Sequence, residues 1–390
     1  MAKIKTYEEI NEKIKKGKVT VVTAEEIIPM VKEEGPAAVL EKVDVVTTAT
    51  FGAMCSSGAF LNFGHADPPI KMSKVWLNNV PAYTGLAAVD AYLGATELAD
   101  TQNLSYGGAH VIEDLVAGKK VKLKATAHRT DCYPRPEIET WVGLEDLNQA
   151  YLFNPRNAYQ NYAAAVNSSN RPIYTYMGTL LPHMGNVTYS TVGELSPLLN
   201  DTHFQTIGIG TRIFLAGGEG YVVWEGTQHN PAQKRNEHGA PVDAAGTLAV
   251  MGDLRGMNRD YLRAAVFHQY GVSLYLGIGI PIPLLNEEIV SRVAVSNHEL
   301  TATVYDYGVP RRSRPVMGTV SYAELRSGKI ELNNKTIPAA PLSSLYKARQ
   351  IAVELKEKIS NGQFHLTAPV EKLPFRNGVK PLYEREEVGS

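Results

Sequence analysis

Two cysteines are the residues of this 390-residue chain best suited to covalent chemistry. Cys55 lies among glycines, alanines and serines, whose main-chain N–H groups can form an anion-binding nest or begin a helix. Cys132 has His128, Arg129 and Arg135 within four positions, and nearby cations favour the reactive thiolate. The alternative is two inert core thiols, which is common for free cysteines. The sequence contexts alone leave both interpretations open.

Metal and nucleotide sites are not favoured by the remaining motifs. Two cysteines in the whole chain exclude a disulfide-rich scaffold and a four-cysteine zinc or iron–sulfur site within it. The ten histidines are scattered, without HExxH or a His-x-His pair. The glycines of 208–210 and 217–220 lack the lysine of a phosphate-binding loop and the spacing of a dinucleotide-binding loop, and they indicate tight β turns or bulges. We therefore expect no metal site and no nucleotide cofactor on this chain.

Two arginine clusters could bind an anionic substrate, because a guanidinium group binds carboxylates in a bidentate manner. Asp253, Arg255 and Arg259 lie within seven residues, at the start of a predicted helix over 258–270. A second basic cluster occupies 311–314. Solvated surface charge is the alternative for both clusters, and it is favoured for the second. Asp253 and Arg255 are retained as candidate substrate-binding residues.

The N-terminal third alternates helix and strand signals. Thr6-x-x-Glu9 and Thr23-x-x-Glu26 are capping boxes that each open a helix. A β-branched strand is predicted over 43–48, directly before the segment that contains Cys55. The alternating pattern over 121–127 predicts the strand that precedes Cys132. Because each cysteine follows a predicted strand, both could meet at one edge of a sheet.

This alternation predicts an α/β fold with mixed sheets and flanking helices, in one large unit or two closely packed lobes. Further helices are predicted over 81–95, which is rich in alanine, and over 345–359, where apolar residues recur at helical spacing. No linker is evident. We expect one catalytic domain over 1–375, with two lobes divided near 150–170 as the alternative, and a tail over 376–390.

The net charge and the apolar runs limit where the protein can be located and which partners it can bind. The formal net charge of −1 argues against a nucleic-acid binder or a membrane-surface protein. The N-terminus lacks the apolar stretch of a secretory signal. The most apolar run, 271–285, contains two prolines and is shorter than the roughly 20 residues of a spanning helix. We therefore expect a soluble, cytoplasmic protein with no membrane or nucleic-acid partner.

Several ordered segments of the chain resemble one known family. They include TFGAMCSSGAFLNFGHADPPIKM, WLNNVPAYTGLAAVDAYLGAT, YGGAHVIEDLVAGK, DCYPRPE, LNQAYLFNPRNAYQNYAAAVN and GIGIPIPLLNEE. These segments resemble the homocysteine-biosynthesis proteins of methanogens and other anaerobes, the L-aspartate semialdehyde sulfurtransferases, from about residue 5 to about residue 375. The resemblance implies that aspartate semialdehyde and sulfide, or another sulfur donor, are converted to homocysteine. It also implies that Cys55 and Cys132 are functional.

The resemblance further implies a ferredoxin-like iron–sulfur protein as electron donor. Some members of the family carry regulatory CBS domains or a fused ferredoxin part after this region, and neither is found in this sequence. We therefore expect the electron carrier to be a separate polypeptide and expect no cofactor on this chain. A cluster shared between subunits, and a homodimer, remain open.

The electron count agrees with two functional cysteines. Replacing an aldehyde oxygen by sulfur gives a thioaldehyde, which is two electrons short of the thiol. A dithiol that closes to a disulfide releases two electrons, provided that the two Cα atoms approach within about 7 Å. We expect Cys132 to carry sulfur as a persulfide and Cys55 to resolve the adduct, leaving a disulfide for an external reductant to open.

The residues around Cys132 are the expected supporting groups. His128, with an ordinary pKa of about 6.5, is the candidate general acid for the aldehyde oxygen. Arg129 and Arg135 are candidates for the substrate carboxylate. Two other functions stay open from the sequence. One is an acyl-transfer enzyme with a single nucleophilic cysteine, and the other is a non-catalytic sulfur carrier or small-molecule-binding module.

Overall fold

A computed structural model describes residues 4–101, 104–157, 160–376 and 378–384. The part of the predicted tail at 377 and 385–390 lies outside the described residues. The α-helices within these ranges are α1 Tyr7–Lys15, α2 Ala24–Glu34, α3 Pro36–Lys42, α4 Gly108–Val116, α5 Pro197–Asn200, α6 Glu287–Val293, α7 Tyr322–Arg326 and α8 Leu345–Ser360.

The strands are more numerous than the helices and are mostly short. In chain order they are β1 Val21–Thr23, β2 Val45–Ala53, β3 Gly58–Asn62, β4 Lys74–Leu77, β5 Val80–Ala82, β6 Asp90–Gly94, β7 Val121–Thr126, β8 Glu137–Val142, β9 Gln149–Asn157, β10 Ala164–Val166, β11 Ile173–Thr175, β12 Gly178–Leu180, β13 Val187–Tyr189, β14 Gly208–Ile209, β15 Arg212–Leu215, β16 Gly218–Glu225, β17 Leu248–Asp253, β18 Leu262–Phe267, β19 Gly271–Pro283, β20 Thr301–Asp306, β21 Val316–Ser321, β22 Lys329–Leu332, β23 Lys335–Pro341 and β24 Glu371–Lys372.

The largest sheet has ten strands in the order β1-β2-β19-β15-β16-β17-β9-β3-β6, with β18 paired to β19 outside this path. The β1–β2 pair is parallel, whereas β19 runs antiparallel to β2, β15 and β18. Thirteen residues make β19 the longest strand of those described, and both of its faces are largely buried. It therefore forms a buried interior strand of this sheet.

The second sheet has six strands in the order β21-β20-β10-β13-β23-β22. Its β10–β20 and β13–β23 pairs are parallel, and its β10–β13 pair is antiparallel. A four-stranded antiparallel sheet, β5-β4-β7-β8, and two two-stranded sheets, β11-β12 and β14-β24, complete the described pairing. The predicted class, α/β with mixed sheets and flanking helices, is confirmed.

Local signals predicted the N-terminal helices well. The hydroxyls of Thr6 and Thr23 accept hydrogen bonds from the main-chain N–H groups of Glu9 and Glu26, and both glutamates bond back to the cap residue. These capping boxes satisfy main-chain donors that the first helical turn leaves free. The predicted strand over 121–127 and the predicted helix over 345–359 are also confirmed, as β7 and α8.

Helix α8 packs across β2 and β19, and small residues permit its close approach. A Cβ atom added to Gly277 would lie 2.7 Å from Ile351 Cδ1, and one added to Gly279 would lie 3.0 Å from Ile351 Cγ2. Such distances are too short for real Cβ contacts. Glycines at alternate positions of one strand face the same side of the sheet, so this pair provides the space that α8 occupies.

Two buried hydrophobic clusters underlie the two large sheets. The larger one includes residues of α1, α8, β2 and β19, together with much of β3, β4 and β7. The smaller one is formed by residues of β10, β13, β20, α7 and β22. The Cys55 cavity described below is lined from both sheets.

Three sequence predictions about elements were wrong. The alanine-rich segment 81–95 forms parts of β5 and β6 rather than a helix, because its residues pair with β4 and β3. The segment 258–270 contains β18, which forms a hairpin with β19, rather than a helix. The strands before the two cysteines do not meet at one sheet edge, since β2 belongs to the ten-stranded sheet and β7 to the four-stranded sheet. In the first two cases strand pairing outweighed local helix preference.

Among the described residues, no helix combines the length and the apolar character required to cross a membrane.

Candidate functional site

A cavity of about 420 Å³ lies between the ten-stranded and six-stranded sheets. Its walls come from the end of β2, the end of β9, the β11–β12 hairpin and the segments that follow β13 and β23. The lining residues that matter for chemistry are Cys55, Arg156, Asn157, Tyr162, Tyr176 and Tyr270. Pockets of this size commonly bind small molecules, so this cavity is the candidate site.

A tight turn directly after β2 positions Cys55 in this cavity. The main-chain N–H and the hydroxyl of Ser57 both donate to the carbonyl oxygen of Met54, at 3.0 and 2.8 Å. The N–H of Met54 in turn donates to the carbonyl of Leu274 on β19, at 2.7 Å. The half-buried thiol of Cys55 shares a hydrogen bond of 3.1 Å with the hydroxyl of Ser273. The ten-stranded sheet therefore fixes the sulfur from two sides.

A β-bulge in β9 forms the opposite wall. Asn154 pairs with Val250 of β17 and Asn157 pairs with Leu248, so β9 has one residue more than its partner between these positions. Pro155 lies in the bulge, which suits a residue that has no N–H to donate to the ladder. A bulge bends its strand and changes the direction of its side chains. It explains why both Arg156 and Asn157 line the same cavity.

Asn154 connects the bulge with the Cys55 turn. This residue is fully buried. Its Nδ2 atom donates to Ser57 Oγ at 2.8 Å, and its Oδ1 atom accepts from the N–H of Arg156 at 2.8 Å and from Ser56 Oγ at 3.2 Å. Because buried amides that are fully hydrogen-bonded rigidify their surroundings, Asn154 holds the turn and the bulge in one geometry.

The charge of the cavity comes from Arg156. Among the described lining residues it is the only one that carries a formal charge at neutral pH. Its guanidinium group forms no ion pair or side-chain hydrogen bond with the described residues, whereas its main-chain groups are bonded. Next to it, Asn157 is 2 % exposed, and its Oδ1 atom accepts no hydrogen bond from any described residue. Consecutive residues of this wall thus carry a cation and a buried acceptor, neither of which has a side-chain partner among the described residues.

Tyrosines form the third wall. The hydroxyl of Tyr162 donates to that of Tyr176 at 3.1 Å, and Tyr176 shares a hydrogen bond of 2.9 Å with Tyr307. Burial raises the pKa of Tyr270, and a negative charge on Cys55 raises it further. This phenol therefore stays protonated at neutral pH, as a donor for an oxygen that becomes negatively charged during a reaction.

Cys132 lies elsewhere, on an exposed loop after β7. A bridge between Thr130 and Tyr133 closes the loop, and the Cys132 thiol is 3.6 Å from the Thr130 hydroxyl. The Nε atom of Arg135 donates to the carbonyl of Glu137 at 3.1 Å. Arg129 and His128 are exposed. These three residues are neighbours of Cys132 in sequence, and none of them lines the Cys55 cavity.

Cys55 and the loop that carries Cys132 lie near opposite ends of β3. Cys55 precedes the strand, and His65 follows its other end, where its ring stacks on that of Tyr133 with centroids 6.2 Å apart. The four residue steps of β3 alone span about 13 Å. Both cysteines are free thiols. The structure therefore does not bring the two sulfurs together, and their predicted disulfide stays a prediction.

The other predicted site residues occupy two further places. His128 lines a separate cavity of about 690 Å³ beside the four-stranded sheet, together with Lys71 and Trp76. Asp253 and Arg255 form an exposed ion pair of 3.3 Å at the end of β17, and Arg255 also donates to the carbonyl of Asn148 at 3.1 Å. Their predicted roles with substrate remain predictions. None of the three lines the Cys55 cavity.

Sequence reasoning missed Arg156, Asn157 and the tyrosines. The signal that could have identified the first two is the motif Asn154-Pro155-Arg156-Asn157, in which a proline interrupts a strand pattern and indicates a bulge. The tyrosines gave no comparable signal, because their convergence depends on contacts between the two large sheets. No group of three or more His, Cys, Asp or Glu side chains forms a metal-binding cluster in the described part of the chain.

Residues 19–366 match the family described as "Homocysteine biosynthesis enzyme, sulfur-incorporation". A relative from Methanosarcina acetivorans, named L-aspartate semialdehyde sulfurtransferase, is 54 % identical over 98 % of this chain and 75 % of its own length. A relative of the same name from Methanocaldococcus jannaschii is 54 % identical over 95 % of this chain and 73 % of its own length. An uncharacterized protein of Methanothermobacter thermautotrophicus is 30 % identical over 83 % of this chain and 72 % of its own length.

No solved structure matches the chain. The family match covers Cys55, Cys132 and the Arg156 bulge, and the two relatives of 54 % identity extend over nearly the whole chain. The chain therefore belongs to the family of homocysteine biosynthesis enzymes that incorporate sulfur, and it is an enzyme.

Proposed function

We propose that this enzyme transfers sulfur from sulfide to L-aspartate semialdehyde and forms L-homocysteine. The observation that carries the proposal is the cavity that is lined by both Cys55 and Arg156, whose guanidinium has no partner among the described residues. A thiol can hold sulfur as a persulfide, and an arginine can bind the carboxylate of an amino-acid substrate. The printed names of the two relatives of 54 % identity support the same substrate.

The geometry favours Cys55, rather than Cys132, as the persulfide carrier. The sulfur that adds to the aldehyde must be where the aldehyde binds, and Cys55 lines a cavity of suitable size. Cys132 is exposed, which suits a resolving thiol that an external electron donor must reach. This assignment reverses the order expected from the cationic neighbours of Cys132.

The first half of the cycle transfers sulfur without net electron flow. Sulfide opens a Cys55–Cys132 disulfide and gives a persulfide on Cys55 and a thiol on Cys132. The terminal sulfur of the persulfide adds to the aldehyde carbon. The Cys132 thiolate then attacks the Cys55 sulfur, which re-forms the disulfide and releases the substrate as a hemithioacetal-like adduct with a terminal thiol. Loss of water from this adduct gives a thioaldehyde.

The second half supplies two electrons. An external donor reduces the disulfide to two thiols. One thiol adds to the sulfur of the thioaldehyde and the other resolves the mixed disulfide, so homocysteine leaves and the Cys55–Cys132 disulfide returns. The sum is one aldehyde, one hydrogen sulfide, two electrons and two protons converted to one thiol and one water. We propose a ferredoxin-like iron–sulfur protein, on a separate polypeptide, as the donor.

The cycle requires the loop that carries Cys132 to approach the Cys55 cavity. This loop is exposed, and its closing contacts are the Thr130–Tyr133 bridge and a stacked ring pair. Exposed loops with few buried contacts reorganise at low cost in free energy. The two thiols of the described structure then correspond to the reduced, open state of the cycle.

The experiment measures homocysteine formed from L-aspartate semialdehyde, sulfide and a low-potential reductant. We expect activity in the wild-type protein and its loss in both Cys55→Ser and Cys132→Ser. Loss in Cys55→Ser alone would support the acyl-transfer alternative with a single cysteine, and it would contradict the two-thiol cycle. No homocysteine from the wild-type protein with any reductant would refute the proposed function.

A mass measurement tests the order of the two cysteines. The protein is first oxidised to the disulfide and is then exposed to sulfide. We expect a gain of one sulfur atom on the peptide that contains Cys55 and none on the peptide that contains Cys132. The opposite distribution would restore the order expected from the sequence.

A further inference from the structure

The bulge in β9 combines two features that its structural role does not require. Arg156 lines the Cys55 cavity, and its guanidinium group has no partner among the described residues. Asn157 lines the same cavity, and its buried Oδ1 atom accepts no hydrogen bond from any described residue. A buried acceptor without a partner destabilises the folded protein, and such groups are rare. The two groups belong to consecutive residues in the wall of the space where a substrate would bind.

The orientation of the Asn157 amide is fixed by its surroundings. Its Nδ2 atom donates to the carbonyl oxygen of Leu248 at 3.2 Å. The opposite orientation would place two acceptors against each other, because the carbonyl of Leu248 cannot donate. The free atom is therefore Oδ1, which can only accept hydrogen bonds. The matching ligand group is a donor, and a cationic donor forms the stronger bond.

The adjacent group requires the opposite ligand. The guanidinium of Arg156 has five donors and no acceptor, so it binds an anion, and its planar geometry suits a carboxylate. A ligand that satisfies both groups carries a carboxylate and an ammonium group on neighbouring atoms. This combination is the α-carbon of an amino acid.

We propose that Arg156 binds the α-carboxylate of the substrate and that Asn157 Oδ1 accepts a hydrogen bond from its α-ammonium group. This inference rests on the proposed function for the identity of the aldehyde. The bulge makes this possible. Consecutive residues of a regular strand point to opposite faces and could not both contact the groups on one α-carbon. With the Cys55 sulfur at the aldehyde, the substrate is contacted at three points, which is sufficient to distinguish the two enantiomers.

Three other arginines had been candidates for the substrate carboxylate. Arg129 is exposed on the loop of Cys132, and Arg135 donates to the main chain there. Arg255 is paired with Asp253 at the end of β17. This pair lies near the start of β9, where Asp253 pairs with Tyr151, whereas the cavity residue Asn157 lies at the end of β9, where it pairs with Leu248. The candidate at the cavity is therefore Arg156.

The experiment compares three aldehydes in the full-length protein. L-aspartate semialdehyde carries both groups, 4-oxobutanoate lacks the ammonium group, and 3-aminopropanal lacks the carboxylate. We expect Arg156→Gln to lower kcat/KM roughly 10–100-fold for the two aldehydes that carry a carboxylate, and to change it much less for 3-aminopropanal. Arg156→Lys should restore part of the loss. Equal losses on all three aldehydes would overturn the assignment, because they would mean that Arg156 acts on the Cys55 thiolate instead.

Asn157 is tested by the complementary pattern. Asn157→Leu keeps the shape of the side chain and removes the acceptor, so kcat/KM should fall for L-aspartate semialdehyde and 3-aminopropanal but hardly for 4-oxobutanoate. Asn157→Asp keeps an acceptor and should retain the preference for aldehydes that carry the ammonium group. This variant tests recognition even if Asn157→Leu does not fold. An equal effect of either variant on 4-oxobutanoate and 3-aminopropanal would overturn the role of Asn157.

A binding measurement separates this inference from the proposed reaction. L-Homoserine has the same α-carbon but no aldehyde, and it should slow the alkylation of Cys55 by iodoacetamide more than D-homoserine does. This protection should be lost in Arg156→Gln. If L-homoserine protects Cys55 but the wild-type protein forms no homocysteine, the reaction is refuted and the amino-acid site stands. If homocysteine forms but L-homoserine gives no protection, the amino-acid site is refuted and the reaction stands.

Discussion

The hydroxyl of Ser56 donates a hydrogen bond of 2.8 Å to the main-chain carbonyl of Arg156. This bond joins the turn that carries Cys55 to the bulge that carries the cavity's arginine, although the two residues are 100 positions apart. The position of the Cys55 turn relative to the main chain of the bulge is therefore set by a direct link and by Asn154, which contacts both segments.

Removal of this link should affect catalysis more than stability. We expect Ser56→Ala to lower the free energy of unfolding by about 0.5–1.5 kcal/mol, the usual contribution of one hydrogen bond, and to lower kcat/KM for homocysteine formation. Urea unfolding and steady-state kinetics measure the two effects. Ser291→Ala is the control, since its hydroxyl bonds to the carbonyl of Glu287 on an exposed helix. Unchanged kinetics in Ser56→Ala would show that the link does not position the site.

The two thiols should differ in reactivity towards a small neutral reagent. Cys132 is exposed, whereas Cys55 is half-buried and shares a hydrogen bond with Ser273. With the protein reduced, we expect iodoacetamide to modify Cys132 before Cys55, as measured by peptide mass mapping over time. Ser273→Ala removes the hydrogen bond and should change the rate at Cys55 alone. Faster modification of Cys55 than of Cys132 would contradict the described exposure.

A buried ion pair anchors the segment before α1 to the start of β2. Asp44 is 2 % exposed and contacts Lys5 Nζ at 2.9 Å and Lys13 Nζ at 2.6 Å. Asp44→Asn leaves the buried charge of Lys5 without its carboxylate, so we expect the free energy of unfolding to fall by about 3–5 kcal/mol. Glu12→Gln, which removes an exposed ion pair with Lys15, should change the free energy of unfolding far less. Similar losses in both variants would contradict this account.

Asp44 also predicts a loss of stability in acid. Burial alone would raise the pKa of its carboxyl group, but hydrogen bonds from Lys13 and Lys5 outweigh burial and lower it below the ordinary value. As the pH falls, the Asp44 carboxylate is therefore protonated at a higher pH in the unfolded chain than in the folded chain. The stabilisation by its ion pairs is present above the unfolded pKa and is lost as the pH falls through the folded pKa. Asp44→Asn should remove this part of the pH dependence in urea unfolding below about pH 4.

His229 predicts a second pH effect closer to neutrality. The imidazole is 6 % exposed, and its Nε2 atom bonds to the carbonyl of Pro374 at 3.1 Å. Burial lowers its pKa below the ordinary value of about 6.5. The unfolded chain therefore binds the proton at a higher pH than the folded chain, and stability should decrease as the pH falls from 7.5 to 5.5. Thermal unfolding of His229→Gln should show a smaller decrease, and an equal decrease would contradict the assignment.

Local signals in the sequence were sufficient for parts of the fold. The capping boxes at Thr6 and Thr23 and the apolar spacing of α8 predicted three helices, because a helix forms from contacts within a few residues. The helices predicted over 81–95 and 258–270 were wrong. Their alanines favour helix locally, but the first segment pairs with β3 and the second forms a hairpin with β19. Fold class survived these errors because it depends on the overall alternation of elements.

The candidate site was predictable only in part. The small residues around Cys55 predicted an anion-binding nest or the start of a helix after a strand, and the structure has a tight turn there. The cations near Cys132 were adjacent in sequence, but Arg135 donates to the main chain. The importance of Arg156 depends on the register between β9 and β17, which no local pattern specifies. The residues adjacent to the cysteines in sequence therefore did not predict which cation lines the cavity.

Strand β19 places a limit on insertions and deletions in this family. Each of its thirteen residues pairs with at least one neighbour: residues 271–276 pair with β18, residues 275–283 pair with β2, and Ile278 and Gly279 also pair with β15. A single inserted residue would move every following side chain to the opposite face. Ser273 would then be separated from Cys55 or Gly277 from α8, whichever side of the insertion moved. Length variation among related sequences should therefore avoid Gly271–Pro283.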